Sequence, residues 1–177
     1  MTNQLFSEFI QQQNVIPKKD TVDWEAELDE WKKYLHTFHK QVEGYLQPYI
    51  ASGQIKLERE NIDIHEENIG TYEVDTLNIT VGNQTITLTP IGTNLIGAKG
   101  RIDMVGSNGT VIFILVPKDA NNPKISVQIR SQNEPQKTQQ QTTSTWTWKI
   151  STPPPRISYL ELEEESFQAA LMEVVNG

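Results

Sequence analysis

The sequence predicts an α+β domain: two N-terminal helices, an antiparallel sheet of about seven strands in a curved meander, and one C-terminal helix. Three observations predict it. Apolar residues over 24–45 recur in alternating steps of four and three, the period of a helix face. From Gln54 the apolar period changes to two, the period of a half-buried strand. Short turn signals then separate the strands, and short connections favour antiparallel neighbours.

Residues 2–13 read as a short amphipathic helix with Leu5, Phe6, Phe9 and Ile10 on one side, closed by Pro17. Thr21 or Asp23 caps the long helix that follows. Its seam is Trp24, Leu28, Trp31, Leu35, Phe38, Val42 and Tyr45, expected to pack on the sheet; a homodimer through the same seam is the alternative to a monomer. Pro48 should kink or end this helix, and Gly53 is a natural stop.

The sheet begins with Ile55, Leu57, Ile62 and Ile64 alternating with polar neighbours. Tyr72 and Val74, then Leu77, Ile79 and Val81, alternate with a slip at Asp75-Thr76 that suggests a β-bulge. Gly82-Asn83 is a hairpin turn leading into Ile86 and Leu88, and Pro90 and Gly92 end that strand. The run from Gly97 to Lys118 reads as a central hairpin in which Val105 faces Thr110 and Asp103 faces Ile112. Ile125, Val127 and Ile129 form another strand, 131–144 a polar mobile loop, and Trp146, Trp148 and Ile150 a late strand. Pro153-Pro154-Pro155 is a stiff connector to a helix over 161–176 that buries Phe167, Ala170, Leu171 and Val174. The whole is read as a single domain, 1–177, with a helical part to 53 and the sheet over 54–151.

Composition excludes several functions. A formal charge of −8 works against nucleic acid, and the absence of cysteine excludes disulfides and thiolate chemistry. The first residues lack a signal-peptide pattern and no apolar run spans a bilayer, so the expected setting is cytoplasmic, with no membrane partner. The cations between Lys118 and Arg156 are spread out and make a thin footprint for phosphates.

Four groups of residues are candidates for function. Arg101 and Asp103 share a face of the central hairpin and are expected to pair. Trp146 and Trp148 share a face of the late strand as ligand or partner contacts. His36, His39 and Glu43 fall on one arc of the long helix, a spacing that two imidazoles and a carboxylate can use for a metal. Asp63, His65, Glu66 and Glu67 cluster near a strand end. Walker, GxGxxG and GxSxG loops are absent.

The central hairpin also resembles the core of the PD-(D/E)xK nucleases, with Asp103 and Lys118 about where that motif places its first acid and its lysine. The resemblance implies a divalent metal held by acids on adjacent strands. Val116 stands at the position of the second acid, and the chain after Lys118 turns toward a strand rather than a helix. The expectation is therefore a non-catalytic binding module without cofactor. Its target is a protein partner or small apolar ligand, by analogy with immunity-type and regulatory proteins of bacteria. A metal-dependent enzyme is the alternative.

Overall fold

The structure, a computed structural model, describes residues 22–123 and 145–177. The helix expected over 2–13, the strand expected over 125–129 and the loop 131–144 lie outside the described residues. Among those described there are two helices, not three: α1 (Trp24–Ala51) and α2 (Glu164–Asn176). Seven strands lie between them: β1 (Ile55–Glu66), β2 (Gly70–Val81), β3 (Gln84–Gly92), β4 (Gly100–Val105), β5 (Thr110–Pro117), β6 (Trp146–Ser151) and β7 (Tyr159–Glu161). They form one antiparallel meander in sequence order. The three-residue β7 takes a place in the sheet that the sequence pattern did not mark.

Helix α1 starts where Asp23 accepts a hydrogen bond from the Ala26 N–H at 3.1 Å. It runs through Pro48 to Ala51, so proline does not end it as expected. Pro48 sits in the last turn, where little helix remains to be broken. The stop comes at Gly53, whose positive φ of 74° lets the chain reverse while its N–H meets the Ile50 carbonyl. Trp31, Leu35, Phe38, Val42 and Leu46 are buried in the single core formed with the sheet. The middle of the seam is thus buried within the molecule, while Trp24 at its start is exposed and Leu28 and Tyr45 are half-buried. Gly100 of β4 lies directly beneath Trp31, and a Cβ there would overlap the indole ring. Helix α2 buries Phe167, Ala170, Leu171 and Val174. Phe113 of β5 touches both helices, with ring centres 5.1 Å from Phe38 and 6.0 Å from Phe167.

The bulge expected at Asp75-Thr76 is not present in the ladder with β1. Pairing there runs unbroken from Ile55↔Val81 to Glu66↔Gly70. The buried positions still change parity, from Tyr72 and Val74 to Leu77 and Ile79. The cause is a fork. β2 pairs with β3 only from Leu77 to Val81, so the outer half of the β1–β2 hairpin leaves the sheet as a two-stranded arm. A two-stranded ribbon twists more than a wide sheet, which brings its other face toward the core. Thr76 sits at the fork, and its hydroxyl donates to the Leu88 carbonyl at 2.6 Å. The irregularity of register lies instead between Pro90 and Gly92.

Candidate functional site

The residues singled out from sequence fall at separate places. Asp103 pairs with Ile112 and Arg101 with Ile114, on the face of β4 opposite Ile102 and Met104. Arg101 meets Asp103 through two parallel hydrogen bonds, of 2.6 and 2.9 Å. The hydrogen bond to Asp103 raises the Arg101 pKa further. Both members are satisfied, so Asp103 is not free to hold a metal. Val116 is fully buried, with no second acid at the position the nuclease resemblance requires.

Trp148 is buried and its indole N–H donates to the Tyr34 carbonyl at 2.9 Å, tying β6 to α1. Trp146 is half-buried beneath the Lys99 ammonium, 5.0 Å from the ring centre. Lys99 also meets Glu30 at 2.9 Å. The Trp148 indole therefore offers no free face of the kind that stacks on a base or ligand. Lys149, counted among the spread cations, is 1% exposed and held by Glu161 at 2.7 Å and by the Ala120 carbonyl at 2.9 Å. It is unavailable to phosphate.

His36, His39 and Glu43 do not converge. Glu43 is turned to Arg59 of β1 in an ion pair, which Asp75 joins at 3.8 Å. His36 is exposed and His39 buried. Among the described residues no three His, Cys, Asp or Glu side chains are placed to share a metal ion. Of the acid cluster, Glu66 has a structural task. Its carboxylate accepts from the Tyr72 hydroxyl, from the Thr93 N–H at 3.0 Å and hydroxyl at 2.9 Å, and from the Asn94 N–H at 3.0 Å. Burial, and then this bond to Glu66, push the Tyr72 pKa up. His65 contacts the Thr71 hydroxyl at 2.9 Å across the arm.

A mostly apolar cleft lies elsewhere, between α2 and the ends of β5 and β6. It holds about 410 Å³ and is lined chiefly by Val111, Ile112, Ile150, Pro153, Leu160 and Ala169. Its origin is local. The ladder between β5 and β6 closes at Ile112↔Ser151, because the residues after Thr152 are prolines that cannot donate to a strand. Thr110 and Val111 therefore have no β6 partner. On the other wall Ser166, Ala169 and Ala170 are too small to fill the gap. Glu173 is the one charged side chain of the lining. Sequence reasoning missed this site. Its signals, a proline run and an Ala-Ala pair, carry no chemistry of their own.

No helix of the described chain is long and apolar enough to cross a membrane. Comparison with protein-family models, with curated proteins and with solved structures finds no match to this chain.

Proposed function

We propose that this protein is a non-catalytic binding module that takes an extended apolar segment of a partner protein in the groove between α2 and β5–β6. The observation that carries this is the groove itself. Its volume of about 410 Å³ is in the range of ligand sites, and apolar side chains line most of it. A polypeptide suits it better than a compact ligand because β5 runs on past its last partner in β6, leaving strand positions at Thr110 and Val111 to which extended chain can add. Glu173 at the wall favours a lysine or arginine in that segment.

The test is selection from a random peptide display library, read against Ala169→Trp. Ala169 is an exposed position of the groove wall, so the indole fills the cleft without entering the core. Selected peptides should alternate apolar residues and carry one basic residue. They should lose at least about tenfold in affinity to Ala169→Trp, whose melting temperature stays that of the native chain. Peptides that bind Ala169→Trp equally well refute the reading. So does failure of selection alongside saturable binding of a small apolar dye in the same cleft, which assigns the groove to compact ligands.

A further inference from the structure

The tight loop between β4 and β5, Gly106 to Gly109, lies against the C-terminal end of α2. It is closed by a hydrogen bond from the Gly106 N–H to the Gly109 carbonyl at 3.0 Å. A Cβ at Gly106 would overlap the Val174 carbonyl, so the loop and helix backbones meet at that point. The last bond within α2 runs from the Gly177 N–H to the Glu173 carbonyl. The carbonyls of Val174 and Val175 lie beyond it and need donors from outside the helix. No basic residue stands in the last turn to supply them. The loop supplies them instead. The Asn108 N–H donates to the Val174 carbonyl at 2.9 Å. The Asn108 carboxamide and the Ser107 hydroxyl, the latter at 3.4 Å, both donate to the Val175 carbonyl. Because that acceptor is a carbonyl, only the nitrogen end of the carboxamide can face it.

The same asparagine precedes a glycine, and both are exposed. Glycine has no Cβ to obstruct attack by its own backbone nitrogen on the preceding side chain. In that attack a bond forms between the Gly109 nitrogen and Asn108 Cγ. The bond from Cγ to Nδ2 breaks, and ammonia leaves with the proton that the glycine nitrogen gives up. Water then opens the cyclic imide at one carbonyl or the other, leaving aspartate or isoaspartate. The sum is asparagine and water giving an acid and ammonia, with nothing oxidised or reduced. The product cannot hold the helix end as before. A carboxylate has no N–H for the Val175 carbonyl, and its charge faces the negative end of the helix dipole.

We infer that Asn108 is a site of spontaneous deamidation, and that its conversion releases the last turn of α2 in a single irreversible step. The inference concerns the loop and α2 alone and stands whether or not the apolar groove holds a peptide.

The test is to age the native chain at mildly alkaline pH. Conversion is followed by peptide mass mapping and by labelling with an isoaspartyl methyltransferase. Asn108 should convert at least about tenfold faster than Asn68 and Asn94, exposed asparagines followed by Ile69 and Leu95. In the aged protein, and in Asn108→Asp without ageing, the Val174 and Val175 amides should exchange about fivefold faster, beyond any change at the Phe113 amide. A second Asn-Gly pair, Asn176-Gly177, lies at the end of α2 and needs a control. Gly109→Ala supplies it, because a Cβ there meets nothing within 4 Å and the residue has no positive φ. This variant should slow conversion of Asn108 about tenfold, leave Asn176 free to react, and keep slow exchange in α2 after ageing. The inference is overturned if Asn108 converts no faster than Asn68 and Asn94, or if Asn108→Asp exchanges as the native chain does. It is overturned too if aged Gly109→Ala loosens α2 as much as the aged native chain, which assigns the effect to Asn176.

Discussion

His39 shows how far one position on a helix face decides a residue's chemistry. Set beside Phe38 in the seam of α1, it is drawn into the core while His36, one turn earlier, stays in solvent. Burial, helped by the nearby positive charge of Arg59, lowers its pKa from 6.5 to about 4. The folded protein thus holds a neutral imidazole where the unfolded chain takes up a proton. Between those two values the unfolded state binds more protons, so stability rises with pH through this window and is fully present above about pH 6.5. Lowering the pH to about 4 should remove on the order of 3 kcal/mol through this one group, the free-energy equivalent of the shift. Urea denaturation of the native chain and of His39→Leu at several pH values between these limits separates it from the carboxylates. The variant should lose much of the slope, whereas identical slopes in the two proteins would refute the assignment.

Among the elements, those with a clear local period were legible and those built by long-range geometry were not. The middle of the α1 seam, the stripe of α2 and the register of the central hairpin each follow from spacing within one segment, and the structure has them; at the ends of the seam Trp24 is exposed and Leu46 rather than Tyr45 is buried. The slip at Asp75-Thr76 was legible as a change of face, but a bulge and a forked ribbon produce the same change. Only the pairing partners of β2 distinguish them. β7 is too short for any period, and the apolar groove is made by prolines that end a ladder beside small residues distant in sequence. Glu66 could be read only as an acid near a strand end, because its partners Thr93 and Asn94 are brought to it by the arm. That carboxylate pins the arm to the loop after β3. Glu66→Ala should leave two backbone N–H groups without their acceptor, costing about 1–3 kcal/mol. Amide hydrogen exchange should report it locally: Thr93 and Asn94 exchange faster, while the Phe113 amide in the centre of the sheet changes only by the global loss. Uniform acceleration across the chain, with no excess at Thr93 and Asn94, would count against a pin.

At the scale of the whole molecule, the question is how a seven-stranded sheet that is not closed avoids pairing with itself. Among the described residues its two edges are β1 and β7, and they differ. β7 is three residues long and offers little to a partner. β1 has twelve residues and is regular throughout, the kind of edge on which strands add. Its protection is charge. Lys56, Glu58 and Glu60 project from the same side of the strand and are all exposed, with Lys56 and Glu58 2.8 Å apart. A strand docking there would have to desolvate these groups against its own side chains. The ion pair itself adds little to stability, being exposed to solvent. Its value is in what it discourages. Replacing Lys56, Glu58 and Glu60 together by Val should therefore leave the circular dichroism of the dilute protein unchanged and promote self-association at higher concentration, seen as a rising mass in light scattering. Apolar β-branched residues favour strands, so the local fold should tolerate the change. A triple variant with the mass of the native chain at every concentration would show that the charges do not guard this edge.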